Sequence, residues 1–208
     1  VNPILSLVLV GLVYVLLVAI LSTLRREGFS YQFVVEALIG TGLAVLVAVT
    51  TGWAMHPVFL LAFLYLLTMR ARLLVDLANA LVGRGQDKLA SSLYRLALRL
   101  RPDQTARQIV RLNQAIHYLK QNHVEEAIAA LGELLRESMS PKHEAAGRYN
   151  LAVAYQRQGN DARATVEYNK VVDLMPASLY GMGAQKALQR RGRQQPGARE
   201  PQQGDDQD

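Results

Sequence analysis

The strongest pattern in the chain is one stretch whose character changes midway without a break. Pro57 to Met69 carries no charge, whereas Arg70 to Leu81 sets Arg70, Arg72 and Asp76 among Leu, Val and Ala. No Gly or Pro interrupts it between Val58 and Val82. Met55 to Leu81 is therefore expected to be one helix, apolar all round in its first half and amphipathic in its second. Such a helix would leave a bilayer and become the first helix of a water-soluble domain.

Two further apolar runs precede it. Pro3 to Leu24 is 22 residues long without a charge, and about 20 suffice to cross a bilayer. Phe33 to Thr51 reads as a second span and Trp53 to Met69 as a third. The link holding Gly52, His56 and Pro57 is short, so the second and third spans should form an antiparallel hairpin. The first run has no basic start and ends in Arg25-Arg26, unlike a cleaved leader, so a retained helix is expected. Residues 1–69 hold only Arg25, Arg26, Glu27 and Glu36 as charges, which marks them as a membrane domain. With three spans, Arg25 and Arg26 fall on the same side as Arg70 and Arg72. The positive-inside rule then puts the N-terminus outside and residues 70–208 in the cytoplasm.

Within the second span Gly40, Ala44, Ala48 and Gly52 recur every four residues, on one helix face. Small side chains let helices approach closely in lipid. The face could serve the protein's own bundle or dock another membrane subunit. Glu36 lies one turn inside this span, at a depth where it could pair with an arginine such as Arg25 or Arg26. An ion-handling role for it is the sharper alternative. His56 is read as an interfacial loop residue.

Beyond Arg70 the chain repeats. Ala90, Ala127 and Ala164 are spaced by 37 residues, as are Ala78, Ala115 and Ala152. The same shift relates Leu81 to Tyr118 and Tyr155, Gly85 to Asn122 and Gly159, and Tyr94 to Leu131 and Tyr168. Small residues let paired helices touch, and the larger residue one turn on fills the gap beside them. Gly or Asn supplies the left-handed residue of the turn between helices. Pro102 and Pro176 are expected to end the first and third units, and Pro141 the second, two places late.

This pattern resembles the tetratricopeptide repeat (TPR), most closely in Tyr149-Asn150-Leu151-Ala152, Tyr155, Gly159, Ala164, Tyr168 and Pro176. The family period is 34, so each unit here is three residues longer. The usual aromatic at the fourth position is replaced by Arg148, and Leu81 and Leu131 stand where aromatics are common. The resemblance covers residues 71–176 and implies an all-α fold. Three transmembrane helices would precede a three-unit TPR solenoid, with units at 71–102, 108–141 and 145–176. Leu179 to Arg190 suits a capping helix for the expected domain at 70–190, with Gly181 and Gly183 weakening its start. Residues 191–208, rich in Gln, Gly, Pro and charge, are expected to be disordered.

The family binds peptides or partner proteins in a groove lined by first helices. By that resemblance the groove candidates are Asn79, Asn113, Ile116, Lys120, Tyr149, Asn150, Val153 and Arg157. Asn79 and Asn113 match the asparagines of a carboxylate-gripping subclass, but its basic positions fall on Val75, Ala146 and Asn150. That speaks against chaperone-tail recognition and for a helix or extended segment as ligand.

Charge and composition add less. The formal net charge is +6, and seven basic residues between Arg84 and Arg111 face only Asp87 and Asp103. Near a bilayer such a cluster would be drawn to anionic lipid; otherwise it is a solvated helix face. No nucleic-acid-reading pattern is visible, so nucleic acid is not an expected partner. The absence of cysteine removes disulfide and thiolate-metal chemistry. No phosphate loop or nucleophile elbow is present, and His117, His123 and His143 lack metal-ligand spacing. Neither catalysis nor a cofactor is expected.

Overall fold

The computed structural model describes residues 2–24 and 31–194, and among them every regular element is an α-helix. Helices α1 (Pro3–Leu24), α2 (Tyr31–Thr51) and α3 (Pro57–Gly83) pack on one another, each touching the other two. All three are long and apolar enough to cross a membrane. Their outward positions are apolar too: Leu9, Leu16 and Leu46 are each more than half exposed, a surface that suits lipid rather than water.

Helix α3 runs unbroken for 27 residues, from the apolar bundle into the repeats. It starts at Pro57 rather than at Trp53. His56 is the N-cap, its Nδ1 accepting the Val58 N–H at 3.3 Å, and Pro57 takes the first turn, where a missing N–H costs nothing. Trp53 to His56 therefore belong to the link, and Gly52, with φ +70°, lies just beyond α2.

The remaining helices are α4 (Asp87–Arg99), α5 (Gln104–Lys120), α6 (Val124–Leu134), α7 (Pro141–Arg157), α8 (Asp161–Leu174) and α9 (Leu179–Gln194). Helices α4, α6 and α8 begin at 87, 124 and 161, and α5 and α7 at 104 and 141, so the 37-residue period is built into the backbone. Ala78, Ala115, Ala152, Ala90, Ala127 and Ala164 are all fully buried, and Tyr94, Leu131 and Tyr168 nearly so. Gly85, Asn122 and Gly159 all have positive φ, at 72°, 63° and 81°. The residue after each donates its N–H five residues back, to Leu81, Tyr118 and Tyr155, at 2.9 Å in every case. These are three copies of one helix stop.

The odd-numbered helices α3, α5, α7 and α9 touch in sequence and form one continuous row, called the inner row below. Among the described residues α4, α6 and α8 do not touch one another; each packs only on its sequence neighbours. Pro141 does not end a unit. It opens α7 behind the N-cap Ser140, as Asp103 caps α5 exactly one period earlier. The expected unit starts at 108 and 145 thus fall four residues inside α5 and α7.

Helix α9 closes the stack and extends past Arg190, so residues 191–194 are helical rather than part of a tail. Arg191 donates to Asp161 Oδ1 at 2.7 Å and to Thr165 Oγ1 at 3.0 Å, and lies over the Tyr168 ring. Gly181 and Gly183 serve contact. A Cβ on Gly181 would come within 2.1 Å of the Met175 carbonyl oxygen, and one on Gly183 within 3.0 Å of the Tyr149 ring. Arg25, Arg26 and the expected tail at 195–208 lie outside the described residues.

Candidate protein-binding face

The inner row carries the groove candidates. Asn113 and Asn150 are one period apart, as are Ile116 and Val153, and Lys120 and Arg157. Each pair therefore occupies the same place on α5 and α7. Asn113 and Asn150 each donate Nδ2 to the carbonyl four residues back, Ile109 and Ala146, at 2.8 Å. Asn79, exposed on α3, donates to Asn113 Oδ1 at 3.1 Å and accepts the Tyr94 hydroxyl at 2.5 Å. That bond joins the α3 and α5 parts of the face. Lys120 is exposed at the end of α5, and the Arg157 guanidinium donates to the Leu119 carbonyl, tying α7 to α5. Ile116 and Val153 are half-buried, packed against the cores on either side.

Tyr149 is placed differently. Its ring stands between Tyr168 and Tyr180, with centroids 5.7 and 5.8 Å away, and α9 covers it through Gly183. It therefore joins the cap to the stack, while remaining half-buried like Asn113 and Asn150. Burial pushes the phenols of Tyr94 and Tyr168 above the ordinary tyrosine range, with the Tyr149 phenol adding to the effect at Tyr168 and Arg191 opposing it.

Arg148 and its equivalent Arg111 each cross to an acidic residue of the next segment: Arg148 to Glu167 at 3.0 Å, Arg111 to Glu137 at 2.6 Å. Arg148 also bonds Glu144 at 2.7 Å. Burial works against its charge, but the two carboxylates outweigh that and hold the guanidinium more firmly protonated than usual.

The face is fixed to the apolar bundle by a polar clamp. Arg70 donates to both carboxylate oxygens of Glu36, at 2.5 and 2.7 Å, to the Leu67 carbonyl, and to the Leu100 carbonyl at 3.1 Å. Gln32 donates to Glu36 at 2.9 Å and to the Arg101 carbonyl at 2.7 Å. Arg101 sits at φ 49°, a left-handed conformation for a residue with a Cβ. The α4–α5 loop is thus gripped by residues from α2 and α3. Among the described residues the partner of Glu36 is Arg70, whereas Arg25 and Arg26, the arginines expected beside it, lie outside them. The signal was available: Glu36 and Arg70 are equidistant along the chain from Trp53, in the link of the hairpin.

The small-residue face of α2 divides. A Cβ on Gly40 would come within 2.9 Å of Leu64, so this glycine serves the α2–α3 contact. Ala48 is buried in the same bundle. Ala44 lines an apolar cleft of about 180 Å³ with Leu43, Val47, Trp53 and Phe63. Gly52 is exposed, and a Cβ there would meet nothing within 4 Å. A closer approach escaped the four-residue pattern: a Cβ on Gly11 of α1 would fall 2.3 Å from Thr41 Oγ1 of α2.

No protein-family model matches the chain, and no curated protein matches it significantly.

Proposed function

We propose that the protein is a membrane-anchored adaptor. Its TPR-like stack would hold a protein partner on the inner row of helices at the cytoplasmic face, for recruitment or assembly of a complex. The observation that carries this reading is the union of an unbroken α3 with the Glu36–Arg70–Leu100 clamp. A stack so held keeps one orientation to the bundle, which a freely tethered domain would not. The inner row offers Asn79, Asn113, Lys120 and Asn150 as hydrogen-bonding groups beside half-buried Ile116 and Val153. That mixture suits a helix or an extended segment laid across the helices.

The test is site-specific photocrosslinking in intact membranes. A photoreactive residue at Lys120 should capture a discrete protein, and one at Val166, exposed on α8 of the outer layer, should not. Equal capture at both positions, or none at Lys120, counts against the reading. Tyr149 is unsuitable for alanine scanning because its loss would loosen the cap.

A second reading, an accessory subunit that meets its partner through the spans, is favoured by the cleft beside Ala44. Ala44→Ile would fill that cleft. Loss of a co-purifying membrane protein in this variant, with Lys120 crosslinks unchanged, would favour the second reading over the first.

A further inference from the structure

Three exposed arginines sit where the repeats come down to the apolar bundle. Arg99 and Arg101 flank Leu100, whose carbonyl Arg70 holds, and Gln32 in the first turn of α2 holds the carbonyl of Arg101 itself. Arg101 keeps its positive φ under that grip, so its place is set by the clamp. Arg95 lies one turn back from Arg99 on the same face of α4. Two aromatics mark the height of this layer. Tyr31, 80% exposed, opens α2, and Trp53, 64% exposed, follows its end. The helix between them is about 30 Å long, the thickness of a hydrocarbon core with an aromatic at each interface. Gln32 follows Tyr31, so Arg99 and Arg101 stand at headgroup height.

Among the described residues none of the three arginines pairs with a carboxylate; Arg95 donates to Ser92 Oγ at 3.1 Å. The acids of this layer are engaged elsewhere, Glu36 by Arg70 and Asp103 by the Ala106 N–H. Arg72 and Asp76 line a cavity to which α4 adds no residue. Residues 25–27, between α1 and α2, are two arginines and one glutamate, so their sum has the same positive sign. The basic residues between Arg84 and Arg111 thus divide. Arg111 is paired with Glu137, and Lys88 is about 16 Å from Arg99 along α4, with Arg84 before it.

We propose that Arg95, Arg99 and Arg101 bind anionic phospholipid headgroups where the end of α4 meets the bilayer. Guanidinium groups take phosphate oxygens in pairs, and three cations without a described counter-charge favour a headgroup of net negative charge over a zwitterionic one. Leu96, 42% exposed beside Arg95, gives the patch an apolar edge of the kind interfacial helices bury. The inference rests on α1–α3 lying in a bilayer and is independent of any protein partner on the inner row.

The chain has no cysteine, so one engineered cysteine at a time can carry a photoreactive label. The full chain is reconstituted in nanodiscs of phosphatidylcholine and phosphatidylglycerol in equal parts, and adducts are sorted by headgroup in a mass spectrometer. A label on Leu9→Cys reports bulk lipid and should take both lipids equally. A label on Leu96→Cys should take phosphatidylglycerol at least about fivefold over phosphatidylcholine. Arg95→Gln, Arg99→Gln and Arg101→Gln together should bring that ratio to the bulk value. Arg84→Gln with Lys88→Gln, which removes charge from the other end of α4, should leave the preference in place. Equal adducts at Leu96→Cys, a preference that survives the triple substitution, or one lost as fully in the Arg84 and Lys88 variant would each overturn the proposal. So would capture of protein and no lipid at Leu96→Cys in native membranes, which would point to an acidic partner surface instead. If Leu9→Cys takes no lipid either, the bilayer reading itself fails; if it does and Leu96→Cys takes none, only this patch does.

Discussion

The apolar bundle and the repeat stack both bring helices together by setting a small residue against a larger one, yet their surfaces suit opposite solvents. In the bundle, Gly11 receives Thr41 and Gly40 receives Leu64, while Leu9, Leu16 and Leu46 face outward. Lipid is as apolar as leucine, so burying leucine there gains little and close steric fit must hold the helices. In the stack, Ala90, Ala127 and Ala164 admit Tyr94, Leu131 and Tyr168 to cores that water cannot reach. There the removal of apolar surface from water drives the contact. The bundle should therefore be most sensitive to added atoms, and the stack to removed ones.

The largest effect is expected from deletion in the stack. Tyr168→Ala removes a ring packed by Tyr149 and by Arg191 and should cost about 3–5 kcal/mol. Urea titration in detergent, followed by circular dichroism, should show an earlier stack transition while the bundle helices persist. A matched loss of both would mean that the regions unfold as one unit. Next comes addition in the bundle. Gly11→Leu forces α1 away from Thr41 and should cost about 1–3 kcal/mol, read as lost resistance of the bundle to SDS. Leu9→Ala, in contrast, should change little. If Leu9→Ala proved the more damaging, steric fit would not be what holds the spans.

The clamp between the regions is the next test. Glu36 and Arg70 are each about one-fifth to one-quarter exposed, so Glu36→Gln should cost less than a fully buried pair, on the order of 2 kcal/mol. Amide exchange should quicken at Leu100 and Arg101, whose carbonyls the clamp grips, and not at the distant cap. Exchange unchanged at the loop would show that α3 alone sets the orientation of the stack.

How legible each region was follows from the same contrast. The stack repeats its solution three times, so Gly85, Asn122 and Gly159 could be recognised as one turn before any backbone angle was known. Helix boundaries were less legible. Proline looks the same whether it follows a helix or opens one, so the 37-residue pattern makes Pro141 an end where Ser140 makes it a beginning. The bundle has no repeat. Its spans were visible from apolar length, but the Gly11–Thr41 contact depends on how α1 is rotated against α2, which a nearly uniform apolar surface does not encode. The clamp lay between, since hairpin symmetry pairs Glu36 with Arg70 only once the link is fixed. The contact of Tyr149 with Tyr180 was not legible either, because first-helix position alone does not reveal that α9 will pack against it.

The smallest effects concern the helix stops, where the two sides of the comparison meet in one residue. A left-handed residue with a Cβ is strained by roughly 1 kcal/mol, and asparagine bears this better than alanine. Gly85 and Gly159 have open space around them, so Gly→Ala at either should destabilise the stack through backbone strain alone, by about 1 kcal/mol. Asn122 occupies the same conformation at φ 63°, so Asn122→Gly should be neutral or stabilising by a few tenths, and Asn122→Ala destabilising. Opposite signs from two substitutions at one position separate strain from lost contacts, because neither adds a packing partner. Alkaline titration gives an independent check on the buried tyrosines of the stack. Tyr94 and Tyr168 have phenols raised by burial, so their contribution is complete below about pH 10, the unfolded value, and is lost as pH rises through the folded ones. Stack stability should fall above pH 10, less steeply in Tyr94→Phe, while the bundle transition stays where it was.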